Sequence, residues 1–479
     1  MREEKDFLGK IPVPGNALYG IHAIRSAGNF PGREAFHPAW YRAMGLVKQA
    51  AYRCILSFKR AAEGKFPAEQ LPAGMERMEV FDHLEEAATG MAAGKYIDHF
   101  IVPAVQGGAG TSINMNVNEI LANAALVQMG HVPGQYDVID PYRHANLFQS
   151  TNDVVPTALT LAVMQQLHLL EEGINSLRAR MEKLEGQYRG SLRMAYTQMQ
   201  QALPSSYGML FSAYNEALAR DWWRISKCFE RIKVVNLGGG ATGSGLAVPR
   251  YYVMEVVHQL QQLTNLPVTR SDNHTDTTQN LDALVEVHGI LKAHAVNLEK
   301  IASDLRLLAS DLAGTPEVTL PKRQPGSSMM PGKVNPVIPE YIISIAHKVY
   351  SNDQLITSLS GQGCLDLNAY IPLIGHAMLD SLEMLTSAGN NMGSLLLDGL
   401  QVHSSLSLEK AMHSPAITTA LMPYLGYRVA EQLASHMQQN RCSIREANQS
   451  LGLIDAEKLE ELLVPESLLR LGYSLKDKR

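Results

Sequence analysis

Cysteine is scarce: Cys54, Cys228, Cys364 and Cys442 are the 4 in 479 residues. None forms a CxxC pair and none has a spacing that holds zinc, which excludes a disulfide framework and a zinc ribbon. Buried, reduced thiols are expected. Charge of one sign is lacking too, with 42 basic residues against 47 acidic ones and a net of −5. That gives no electrostatic case for nucleic acid or an anionic membrane surface. No apolar run approaches the roughly 18–20 residues of a bilayer span. The opening "MREEKDFLGK" has no apolar signal core, so the cytoplasm is the expected compartment. HExxH and GxxxxGK[ST] are both absent. "GGGATGSG" (238–245) does contain GxGxxG, but it lies between two long helical patterns, not after a strand. It is not read as a dinucleotide site. "HQLQQ" (258–262) and "HGILKAH" (288–294) fall within helical patterns, where packing or surface roles are expected.

What the chain does have is helix. An apolar fraction of 46% is ordinary for a folded protein, and 479 residues exceed one compact core. Val163, Leu167, Leu170, Ile174, Leu177, Met181, Leu184 and Tyr188 follow alternating steps of four and three, a 3.5-residue seam. Leu281, Leu284, His288, Leu291, Ala295, Leu298, Ala302, Leu305 and Ala309 form a second. Phe211, Tyr214, Leu218, Ile225, Phe229 and Ile232 form a third, weaker near Trp222. A fourth apolar stretch runs from Pro339 to about Leu400, interrupted at Gly361–Gly363 and Pro372.

Helices this long pack side by side, crossing at about 20°. The fold expected is all-α: a long central helix bundle with smaller N- and C-terminal domains. The boundaries are 1–149 for the N-terminal domain, 150–404 for the bundle and 405–479 for the C-terminal small helical domain. One monomer can hardly cover every seam, so a homo-oligomer with a helical core is expected.

Four polar strips interrupt or border the bundle: "GGAGTSINMNVNEILAN" (107–123), "HANLFQSTNDVVPTA" (144–158), "MAYTQMQQALPSSYG" (194–208) and "PGSSMMPGKVNP" (325–336). They are rich in Ser, Thr, Asn and Gln and nearly free of charge. Thr111, Ser150, Thr151 and Asn152 are each able to donate to a carboxylate oxygen at a helix start. "STND" is equally a helix-capping sequence, and one terminus can serve both ends. The fourth strip adds Ser327, Ser328 and Lys333. A serine hydroxyl becomes a strong base only where oriented N–H groups and an ammonium stabilise its alkoxide. Gly326 and Gly332 permit such a bend, in a mobile lid or in a plain connector.

These strips resemble the aspartase/fumarase superfamily, homotetrameric lyases that eliminate a group from a succinyl substrate to give fumarate. "GSSMMPGKVNP" is similar to its signature loop, and "GGAGTSINMNVNEILAN" and "QSTNDVVPTA" to two further active-site strips. "DFLGKIPVPGNALYGIHAIRSAGNFP", "VNPVIPE" and "DLRLLASD" resemble the aspartase branch. The resemblance covers essentially the whole chain. It implies Ser327 as catalytic base, with Ser328 and its neighbours holding the carboxylate that takes up charge. Lys333 and Asn335 would bind the other carboxylate. Thr111, Ser112, Ser150, Thr151, Asn152, Thr197 and Gln198 would contact substrate, and Glu340 would lie near position 198. The tetramer would join strips from three subunits into each site. No organic cofactor is implied. A divalent activator is left open, with no ligand cluster visible in the sequence.

The third strip bears on the leaving group. The superfamily's usual form is close to GRTHLQDA, and here it is "AYTQMQQA". Hydroxide needs a proton donor to leave, and glutamine cannot be one; an ammonium leaves unaided. Gln198 therefore favours an amine, with a neutral packing role as the other reading. Ala195, Tyr196, Gln201 and Asp140 also depart from the family pattern. The expected activity is conversion of L-aspartate to fumarate and ammonia, with fumarate hydratase or a lyase of an N-substituted aspartate as the alternative. The expected partners are a small dicarboxylate and further copies of the chain.

Overall fold

A computed structural model describes residues 1–32, 34–312 and 314–475. The chain opens with an antiparallel hairpin, β1 (Arg2–Asp6) and β2 (Gly9–Val13), followed by α1 (Ile21–Asn29), α2 (Pro38–Ala62), α3 (Glu79–Ala92) and α4 (Thr111–Gln128). The helix α5 (Thr151–Gln187) is 37 residues long. A second hairpin follows, β3 (Leu192–Thr197) and β4 (Gln200–Ser206), then α6 (Tyr207–Ser226) and the short α7 (Cys228–Ile232). Next come α8 (Arg250–Thr264), α9 (His274–Gln279), α10 (Asp282–Leu308), α11 (Val337–Ser360) and α12 (Ile371–Asn391). Short helices between Ser404 and Leu468 complete the chain. The fold is predominantly helical, as the seams predict, and the strands described pair only in twos.

The α5 seam is buried at every position from Val163 to Tyr188. Each large side chain so buried contributes about 1.5–3 kcal/mol of apolar transfer energy. That explains how a helix three times the usual length holds together. In α10 the seam residues Leu284, His288, Leu291, Ala295, Leu298, Ala302 and Leu305 are buried. The third seam runs without a break through α6 and α7, because Asp221 and Cys228 occupy its steps and both are buried. Cys228 replaces Phe229, which is half-buried, as the seam residue. Asp221 reads as a gap only because it is charged. Its Oδ2 meets His294 Nδ1 at 2.9 Å, and Asn297 Nδ2 donates to its Oδ1 at 2.8 Å.

The residues form two compact units, each assembled from three segments. The first takes Met1–Glu171, Arg224–Ala293 and His347–Thr386; the second takes Glu172–Trp223, His294–Ala346 and the chain from Ser387 onward. Every boundary falls inside a long helix: α5, α6, α10, α11 or α12. In the second unit, Ile417, Leu421, Leu433, Met437, Ile444, Leu459 and Leu462 form a separate buried cluster of the short C-terminal helices. A capping box at Ser443 and Glu446 starts one of them.

The thiol expectation needs correcting. Cys54 and Cys228 are buried, but Cys442 is half-buried and Cys364 is exposed.

Candidate active site

In the second unit, the loop from Gly326 to Asn335 is closed at its neck. Gly326 N–H donates to the Lys333 carbonyl at 2.7 Å, and Asn335 Nδ2 donates to the Gly326 carbonyl at 2.8 Å. The neck leaves no room for a side chain, since a Cβ on Gly326 would lie 2.7 Å from Asn335 N. Gly332 turns the chain with φ of +82°. Gly326 is therefore needed for close approach and Gly332 for conformation.

At the tip, Ser327 Oγ accepts two backbone N–H groups, from Met329 at 3.0 Å and Met330 at 2.9 Å. This is a small cradle of donors around one hydroxyl oxygen. Ser328 and Lys333 are exposed, and Asn335 is half-buried.

The third polar strip is the β3–β4 hairpin. Its two-residue turn is Gln198–Met199, with φ of 54° and 61°. Such turns favour Gly and Asn, and other residues there carry strain of a kind that collects at functional sites. Thr197 and Gln198 are exposed at the turn. Glu340, in the first turn of α11, faces Arg306 of α10 at 3.3 Å. Met199, Arg306, Gly332, Lys333, Asn335 and Glu340 line one cleft of about 1180 Å³. The structure thus gathers Lys333, Asn335 and Glu340 with Met199 of the hairpin turn; Thr197 and Gln198 beside Met199, and Ser327 and Ser328 on the same loop as Lys333, do not line the cleft.

In the first unit, Thr111 opens α4 behind Gly110, whose φ of +89° makes the turn. Thr111 is exposed, while Ser112 is buried and accepts a hydrogen bond from Ser26 Oγ at 2.8 Å. Ser150 caps α5: its Oγ accepts the Asn152 N–H at 3.2 Å, and Asp153 Oδ1 accepts the Ser150 N–H at 3.0 Å. The capping reading of "STND" is thus observed, and it leaves Ser150, Thr151 and Asn152 half-buried at the helix start. Asn114 of α4 donates to Thr151 Oγ1 at 3.2 Å, which joins the first two strips.

Sequence reasoning missed what stands behind these strips. Lys48 of α2 is fully buried and reaches Asn146 Oδ1 at 3.5 Å. Asn114 and Asn118 donate to that same oxygen at 3.0 and 3.1 Å. Burial holds Lys48 well below the usual lysine range, with the Asp153 charge opposing the shift. Burial pushes Asp153 up, against the N–H groups it accepts and against Lys48. The available signal was a lysine whose helical neighbours Met44, Ala51 and Tyr52 are all apolar. Glu119, also buried, is pushed up to about 7 by desolvation, although it accepts N–H groups from Gly20, His22 and Ala23. Among the described residues, no group of three or more His, Cys, Asp or Glu is placed to hold a metal ion.

The chain can be compared with known proteins on this basis. Residues 41–351 match the family described as Lyase, and residues 417–470 match the one described as Fumarase C C-terminus. An aspartate ammonia-lyase from a Bacillus species is 37% identical over 476 residues, 99% of this chain and 98% of that one. The structure of a fumarate lyase:delta crystallin from Brucella melitensis, bound to cobalt, superposes with a TM-score of 0.89 at 33% identity, covering 97% of this chain and 98% of that one. A class II fumarase from Schistosoma mansoni superposes with a TM-score of 0.85 at 26% identity, covering 97% of this chain and 98% of that one.

Proposed function

The chain belongs to the aspartase/fumarase superfamily of lyases, and from that premise we propose that it eliminates ammonia from L-aspartate to give fumarate, reversibly, with Ser327 as the base. The observation that carries the reading is the pair of N–H groups aimed at Ser327 Oγ. Donors fixed in advance around an oxygen favour its alkoxide and require no reorganisation during reaction.

The alkoxide takes the proton from the carbon beside one carboxylate. The electron pair moves into that carboxylate, giving an enediolate-like dianion that Ser328 and the loop N–H groups hold. The dianion then collapses, the C–N bond breaks, and its electrons leave with nitrogen as ammonia. The proton on Ser327 returns through solvent, so aspartate becomes fumarate plus ammonium. Lys333 and Asn335 bind the second carboxylate. Thr111, Ser112, Ser150, Thr151, Asn152, Thr197 and Gln198 complete the substrate cradle, and Glu340 shapes the cleft beside the hairpin turn. No residue need protonate an amine leaving group, which suits Gln198.

In this reading a cytoplasmic homotetramer assembles each site from several subunits around the bundle of residues 150–404, flanked by the domains 1–149 and 405–479. It works without an organic cofactor, and a divalent activator is left open. A second reading is hydration of fumarate, which the likeness to a fumarase supports, or cleavage of an N-substituted aspartate. Aspartate, malate and argininosuccinate offered in turn, with fumarate formation followed, separate the two. Turnover of malate without aspartate contradicts the first.

A further inference from the structure

The glycine-rich strip at 238–245 takes no part in the proposed chemistry, yet the N–H groups of Gly238, Gly239, Gly240 and Gly245 all donate within the fold. Gly238 and Gly240 have φ of +92° and +69°, so their N–H groups converge in a nest of the kind that cradles anions. Here the anion is the protein's own. Both N–H groups donate to Oδ2 of Asp153, at 3.2 and 3.1 Å. The other oxygen of that carboxylate takes the Ser150 N–H, and Asp153 is fully buried.

Two more hooks join the same segments. Pro156 lies inside α5 and has no N–H, so the Asn152 carbonyl one turn before it has no helical donor. Asn236 Nδ2 fills the vacancy at 2.8 Å. In return, Asn152 Nδ2 donates to the Ala241 carbonyl at 2.7 Å. The strip is also wedged in place: a Cβ on Gly239 would lie 2.9 Å from His274 Cβ, and one on Gly243 would lie 2.3 Å from Thr275 N.

We propose that residues 236–241 form a clamp that, through the internal anion Asp153, sets the orientation of Ser150, Thr151 and Asn152 for substrate. Asp153 and Asn236 are then positioning residues that touch no substrate themselves. The inference rests on the reading of 150–152 as a substrate-binding turn.

The test uses the full-length oligomer. Asp153→Asn keeps one oxygen for the glycine N–H groups but turns an NH₂ toward the Ser150 N–H. Asn236→Ser leaves the carboxylate intact and releases the Asn152 carbonyl. In either folded variant, KM for aspartate and Kd for succinate are expected to rise about 10- to 100-fold while kcat falls less than about threefold. A purely structural role lowers the folded fraction without that split. Wild-type KM and Kd in the folded variants overturn the proposal. Should neither variant fold, amide exchange on the wild type decides. Slower exchange at Gly238 and Gly240 on adding succinate supports the clamp, and unchanged exchange overturns it. A wild type that binds succinate but never turns over aspartate sinks the functional reading, while these binding and exchange arms still judge the clamp.

Discussion

Ser327 Oγ accepts the Met330 N–H at 2.9 Å, on a loop whose neck is shut by the Gly326 N–H to the Lys333 carbonyl at 2.7 Å. The neck sets the tip: if residues 326 and 333 part, the two N–H groups no longer converge on the hydroxyl. Gly326→Ala forces this, because its Cβ would meet Asn335 N at 2.7 Å. The expected result is a fall in kcat/KM of roughly 100-fold or more, with the melting temperature nearly unchanged. Steady-state kinetics beside a melting curve checks it.

Gln198 is expected to be dispensable for proton transfer. Gln198→Ala should lower kcat for aspartate less than about tenfold and leave the shape of its pH profile intact, since losing a general acid costs roughly 10²–10⁴-fold. A loss in that larger range, with a limb of the profile removed, contradicts the amine-leaving argument.

The buried Glu119 gives stability a pH dependence. Its pKa in the folded chain is pushed up to about 7, from 4.5 for the free side chain. Between those values the unfolded chain has released a proton that the folded chain keeps, so this contribution is full below about pH 4.5 and lost as pH rises through 7. Glu119→Gln cannot titrate. The melting temperature of the wild type should therefore fall relative to that of this variant from pH 5 to pH 8, in matched buffers. A wild type that gains on the variant over that range contradicts the assignment.

Asp221 and His294 are both fully buried and meet at 2.9 Å within the second unit. His294→Leu removes one donor from a buried carboxylate and is expected to cost about 3–5 kcal/mol. The double variant Asp221→Leu/His294→Leu, with apolar groups in both places, should be more stable than that single variant. Denaturant unfolding of the two checks the order.

Sequence pattern and structure agree where periodicity is the cause. The α5 seam is readable because each of its steps is apolar and each is buried. The α6 seam looked interrupted because hydrophobic periodicity counts Asp221 as a failure, whereas partners on α10 make it a core residue. The candidate strips stood out through an excess of neutral polar residues. Their supports did not: Asp153 meets the glycine nest across 85 residues of chain, and Lys48 meets Asn146 across 98. A local reading of GxGxxG asks which outside phosphate it binds. It has no means of finding that the anion is a side chain of the same molecule. The hairpin at 198–199 was also hidden, because neither residue is the glycine or asparagine that such a turn favours.

The central claim is that the Ser327 hydroxyl becomes the base, and Ser327→Ala tests it most directly. Fumarate formation from aspartate is measured for wild type and variant, with succinate binding as a control on the folded protein. The account predicts a wild type active on aspartate, and a variant slower by roughly 10²–10⁴-fold that binds succinate about as well. A variant that makes fumarate at the wild-type rate contradicts it.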